Sequence, residues 1–91
     1  MVTVPERFAA NLRRERKRAG LSQEHVGVLA GLHRTEVSHL ERARRTPRID
    51  TLVKLAGALH IGPHELLKGI EWRPGSVRPG RFDGTDPGAT L

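Results

Sequence analysis

A chain of 91 residues leaves room for one small domain, with a core of only a few apolar layers. The absence of cysteine excludes disulfides and thiolate metal sites, and no stretch approaches the run of about 18 apolar residues that a membrane-spanning helix needs. Sixteen lysines and arginines against ten acidic residues give a formal charge of +6, and thirteen of those cations are arginine. Such a balance implies a polyanionic partner, whether nucleic acid, an anionic membrane or an acidic protein, and arginine suits bidentate contacts to phosphate or guanine. Phe8, Phe82 and Trp72 are the only aromatic side chains, too few for the stacking platforms that bind single strands. No charged-then-apolar leader opens the chain, so a cytoplasmic location without a membrane partner is expected.

Thr3 to Ala19 reads as an amphipathic helix. Thr3 and Glu6 fit a capping box, Pro5 is tolerated in the first turn, and Phe8, Leu12 and Ala19 recur at helical spacing with Glu15 and Arg16 on or beside that face. Gly20 supplies a left-handed stop. A second helix of about eight residues starts at the N-cap candidate Ser22, places Glu24 in its first turn, turns Val26 and Ala30 inward and ends at Gly31. Periodicity resumes at once with Val37 and Leu40 on one side and Arg34, Thr35, Ser38, His39 and Arg42 on the other, before the basic run Arg42-Ala43-Arg44-Arg45 and Pro47. Leu52, Leu55, Ala56 and Leu59 mark a fourth helix. Gly62-Pro63 opens a short fifth one with Leu66 and Leu67 expected to face the core.

Five short helices thus fill residues 3 to about 69, an all-α domain covering 1–69. The remaining tail, 70–91, holds three prolines and four glycines in 22 residues. It is either flexible or a short hairpin-like flap built from Ile70-Glu71-Trp72 and Val77 to Phe82, with Trp72 expected to dock on the domain or on a second copy.

Two short helices joined by a glycine-containing turn are the unit that presents one helix to a DNA major groove. With Val37 and Leu40 as anchors, Arg34, Thr35, Ser38 and His39 stay free on the N-terminal half of the third helix. Arginine can hold guanine O6 and N7 together, threonine can offer a methyl or hydroxyl, and histidine can donate to a groove acceptor. Helix N-termini add backbone N–H groups for phosphates.

The segments LRRERKRAGLSQEHV, AGLHRTEVSHLER and PRIDTLVKLAGALHIGPHELLKG together resemble the lambda repressor and Cro family, also called the xenobiotic-response-element family, of helix-turn-helix regulators. The resemblance runs from Leu12 to Gly69, about 58 residues. It implies a five-helix lambda-repressor-like DNA-binding domain and sequence-specific regulation of transcription by a homodimer on double-stranded DNA. It also implies roles by position. Arg34, Thr35 and His39 read bases with Ser38 beside them, Gln23 next to the cap Ser22 touches phosphate and braces the recognition helix, and Arg16 with Glu41 ties the first helix to the third. Arg44, Arg45 and Arg48, following Arg42, contact phosphates. Departures from the family pattern are Gly27 where alanine is usual, Ala43 in place of a common glycine, and the poor caps His33 and Arg48; these bear on stability and leave the reading face intact.

Simpler explanations cover other features. Arg13, Arg14, Lys17 and Arg18 read as a solvated face, and Val28 and Leu29 as exposed apolar residues or part of a partner surface. The five histidines lack paired spacing with cysteine or carboxylate support, so no metal is expected. No nucleophile has a plausible base and no loop cradles phosphate, so neither catalysis nor a cofactor or small-molecule ligand is expected. A bare domain of this size also fits an antitoxin, a restriction-modification controller, or a protein-interaction module with weak DNA affinity.

Overall fold

A computed structural model describes residues 2–83. Its elements are α1 (Val4–Arg18), α2 (Gln23–Ala30), α3 (Arg34–Glu41), α4 (Ile49–Leu59), α5 (Pro63–Leu66), β1 (Trp72–Arg73) and β2 (Arg81–Phe82). No helix among the described residues is long and apolar enough to cross a membrane.

The start of α1 is a complete capping box: the Thr3 hydroxyl accepts the Glu6 N–H at 3.2 Å, and the Glu6 carboxylate accepts the Thr3 N–H at 3.2 Å. Its basic last turn, Arg16 to Arg18, complements the helix dipole. The four longer helices end the same way. A residue with positive φ turns the chain, its N–H returns to a carbonyl three residues back, and the next N–H reaches five residues back. These pairs are Gly20 to Lys17 (3.0 Å) with Leu21 to Arg16 (3.2 Å), and Gly31 to Val28 (3.2 Å) with Leu32 to Gly27 (2.8 Å). After α3 and α4 they are Ala43 to Leu40 (3.2 Å) with Arg44 to His39 (3.0 Å), and His60 to Gly57 (3.2 Å) with Ile61 to Ala56 (3.0 Å). Glycine occupies the left-handed position twice; Ala43 (φ 59°) and His60 (φ 55°) hold it at a steric cost of roughly 1 kcal/mol each.

The core joins all five helices: Phe8 and Leu12 of α1, Val26 and Ala30 of α2, Val37 and Leu40 of α3, Leu55, Ala56 and Leu59 of α4, and Leu66 of α5. Each fully buried large side chain contributes about 1.5–3 kcal/mol. α1 packs on α3 and α5, α2 on α3 and α4, and α4 on α5. The Asn11 side chain locks the two ends of the helical region together, donating to the carbonyls of Leu66 and Lys68 at 2.9 Å each from a buried position.

Two expectations need correction. Ala19 caps α1 from an exposed position and leaves the buried stripe. Leu67 is 41% exposed, because α5 is a single turn whose inward-facing position is taken by Leu66. α4 begins at Ile49, directly after the expected cap position Arg48; Ile49 and Asp50 face outward, Leu52 is partly covered, and the fully buried stripe starts at Leu55. In the tail, β1 and β2 pair antiparallel, with Trp72 opposite Phe82 and Arg73 opposite Arg81. Trp72 meets Phe82 edge to face at 5.1 Å and remains 52% exposed, so its ring contact is made inside the hairpin. Residues 84–91 of that tail lie outside the described residues.

Candidate nucleic-acid interface

The turn between α2 and α3 is tight for identifiable reasons. The Ser22 hydroxyl accepts the His25 N–H at 3.0 Å and starts α2. Within α2, a side chain at Gly27 would put its Cβ 2.8 Å from the Leu32 carbonyl oxygen, so glycine lets the turn close directly over the helix. Gly31 (φ 69°) then reverses the chain. His33, expected to be a poor cap, is a working one: its ring Nδ1 lies 3.1 Å from the Thr35 N–H and accepts from it. An aromatic nitrogen here replaces the usual hydroxyl or carboxylate. Arg48, by contrast, makes no side-chain cap at α4.

α3 is anchored by Val37 and Leu40, both at 0% exposure. Arg34 and Thr35 are exposed, and Ser38 and His39 are half-buried. With His33 and Arg42 they line a shallow depression of about 340 Å³. The four candidate base readers therefore share one surface.

Behind that surface lies a buried polar joint. The Glu41 side chain is 4% exposed; its carboxylate accepts from Arg16 Nε at 2.5 Å and Nη2 at 2.9 Å and from Gln23 Nε2 at 3.2 Å. Arg16 also donates to the Leu21 carbonyl at 2.9 Å. The hydrogen bond to Glu41 raises the Arg16 pKa above its ordinary value, outweighing the opposing effect of burial. The joint links α1, the start of α2 and the end of α3, so Gln23 braces the third helix through its amide. Arg13 joins too, donating to the Glu41 backbone carbonyl at 3.0 Å, so its expected place on a purely solvated face is corrected. Glu15, 3% exposed, is held between Arg14 and Arg18 at 3.3 Å each.

The remaining candidate phosphate ligands divide. The side chains of Arg42 and Arg44 are exposed with no ion pair among the described residues. Arg48 lies 3.4 Å from Asp50, both well exposed, an arrangement worth little. Arg45 folds back on α3, with Nη1 3.4 Å from Glu36 Oε1 and Nη2 3.1 Å from His39 Nδ1. Glu36 escaped the sequence reading. Its spacing of three from His39 puts both on one helix face, but nothing in the sequence brings a loop arginine to them.

A buried-back, open-front α3 set against α2 by a short turn defines a helix-turn-helix protein. Residues 7–68 match the helix-turn-helix domain family, and the chain belongs to that family in its Cro and lambda-repressor-like form. Among similar proteins, control protein C.SmaI of Serratia marcescens is 39% identical over 64 residues, covering 70% of this chain and 76% of that one. The HTH-type transcriptional regulator y4dJ of Sinorhizobium fredii is 38% identical over 69 residues, covering 76% and 90%. Among solved structures, the restriction-modification controller protein C.AhdI of Aeromonas hydrophila superposes with a TM-score of 0.67 at 42% identity, over 68% of this chain and 94% of that one. The DNA-binding domain of the P22 c2 repressor does so with a TM-score of 0.65 at 31% identity, over 68% and 82%. The protein is a DNA-binding transcriptional regulator of the helix-turn-helix type.

Proposed function

We propose that the protein binds duplex DNA sequence-specifically as a homodimer in the bacterial cytoplasm, with residues 1–69 as the DNA-binding domain and 70–91 as an appendage. The observation that carries this reading is the orientation of α3: Val37 and Leu40 inward, Arg34, Thr35, Ser38 and His39 outward. Arg34 reads guanine through its two-pronged guanidinium, Thr35 and Ser38 contact neighbouring base edges or backbone, and His39 donates to an acceptor. Arg42, Arg44 and Arg48 neutralise phosphates, and the Ser22-capped N-terminus of α2 with Gln23 meets another.

Support for the dimer comes from an apolar groove of about 430 Å³ between the start of α1, α4 and α5, where Ile49 (79%), Val53 (51%) and Leu67 (41%) are exposed beside Phe8 and Ile70. Exposed branched side chains along one groove are what a self-associating surface requires. A homodimer that reads two half-sites in successive major grooves needs its α3 helices about 34 Å apart, one turn of DNA.

The test is selection of bound duplexes from a random oligonucleotide pool, followed by anisotropy titrations. A palindromic motif is expected, with Arg34→Ala relaxing preference at one base pair of each half-site at a cost of about 1–3 kcal/mol. Equal losses on selected and scrambled duplexes would remove Arg34 from the base readers. Failure of the unaltered protein to bind any duplex at micromolar concentration and low salt would favour a protein-interaction module. The similarity to C.SmaI and C.AhdI favours one specific form of the function, control of a restriction-modification system, over an antitoxin role. A restriction gene beside this one would support that form.

A further inference from the structure

We infer that Arg45 is a specificity-determining residue that acts through His39, fixing which ring nitrogen of His39 faces the DNA. The inference rests on the reading of α3 as the base-reading helix. Its geometrical basis is the chain Glu36–Arg45–His39: Arg45 Nη1 lies 3.4 Å from Glu36 Oε1 and Nη2 lies 3.1 Å from His39 Nδ1.

A guanidinium has donors only, and it keeps its protons throughout the range in which proteins fold. In the Nη2···Nδ1 contact the histidine nitrogen is therefore the acceptor, and it carries no proton. The ring hydrogen sits on Nε2. The same contact fixes the ring's orientation, because a half-turn about χ2 would set a carbon against the guanidinium. Glu36, one helical turn before His39, holds the other prong of the fork. His39 thus offers the groove one group of one kind, an Nε2–H donor. The edges it fits are acceptors: guanine N7 or O6, adenine N7, thymine O4. Cytosine, which presents an amine in the major groove, is refused because two donors would face each other. A loop arginine placed by sequence among phosphate ligands is in this account a positioning residue for base recognition.

The experiment compares duplex-pool selection and anisotropy titration for the unaltered protein, Arg45→Ala, His39→Ala and the double variant. Arg45→Ala is expected to reduce preference at one base pair of each half-site by about five- to tenfold, to leave the other positions unchanged, and to have no further effect on preference in the His39→Ala background. Equal weakening on selected and scrambled duplexes, with the log–log salt slope smaller by about 0.9 per lost contact, would overturn the proposal and return Arg45 to the phosphate set. A second readout needs no DNA. Long-range ¹H–¹⁵N spectra of the free protein, recorded where the ring is neutral, are expected to show His39 wholly as the Nε2–H form, with Arg45→Ala admitting the Nδ1–H form. An Nδ1–H ring in the unaltered protein would refute the assignment. Absence of duplex binding by the unaltered protein would reject the DNA-reading role of α3 instead, and the ring spectrum separates the two failures.

Discussion

Replacing Glu41 by alanine removes the acceptor for three side-chain N–H groups at once. Arg16, with 14% of its side chain exposed, loses two of its three hydrogen bonds and keeps the one to Leu21; Gln23 loses its partner. Stranding one member of a buried ion pair costs about 3–5 kcal/mol. The bond that Arg16 retains and its partial access to water place this case near the lower end, about 3 kcal/mol. Against a total stability of about 5–10 kcal/mol for so small a domain this is a large fraction. At roughly 4–8 °C per kcal/mol, the melting temperature should fall by about 12–24 °C. Thermal and urea unfolding followed by far-ultraviolet circular dichroism measures the change. The double replacement Arg16→Met with Glu41→Leu fills the same space without charge and should recover most of the loss. A drop smaller than about 4 °C for Glu41→Ala, or a double variant no better than the single one, would refute the assignment of Arg16–Glu41–Gln23 as the joint that holds α3 in place.

Asn11→Ala leaves the carbonyls of Leu66 and Lys68 without their donor and should destabilise by about 1–3 kcal/mol, measured by urea unfolding. Ala43→Gly relieves the left-handed strain at φ 59° and, after the greater unfolded-state freedom of glycine is deducted, should stabilise by about 0.5 kcal/mol; Ala43→Val should destabilise, both read as shifts in melting temperature. Arg44→Ala should lower the magnitude of the log–log salt slope of duplex binding by about 0.9 while leaving the selected motif intact. Val53→Asp places a charge on the apolar groove at a half-exposed position, so sedimentation analysis should show monomers while the melting temperature stays within a few degrees.

Most of the helical framework could be read in the sequence because its boundaries are local chemistry. Thr3 with Glu6, Ser22, Gly20, Gly31 and Pro63 all act within four residues of themselves, and each stands at an observed helix end. The outward set on α3 was legible for the same reason, since burial of Val37 and Leu40 decides where Arg34 and Thr35 point. What escaped depends on contacts distant in sequence or on a residue in an unaccustomed role. His60 takes a left-handed conformation usually reserved for glycine or asparagine, and His33 caps with a ring nitrogen. Asn11 meets residues more than fifty positions away, which no periodicity reveals. Arg45 carries the same local signature as Arg44, a cation after the third helix, yet only one of them folds back onto Glu36 and His39. The resemblance to the repressor family foresaw the Arg16–Glu41 tie but not the Arg13 bond that reinforces it.

The Asn11 amide also sets an order of events during synthesis. The first helix leaves the ribosome early, but the carbonyls that receive its amide belong to residues 66 and 68. Until those emerge, the nascent chain can stack its opening helices without sealing them, and Phe8 and Leu12 lack part of their cover from Leu66. Closure of the helical region therefore needs both of its ends present together. A product cut short before that point would lack both acceptors of the Asn11 amide and the Leu66 side chain that packs with Phe8 and Leu12.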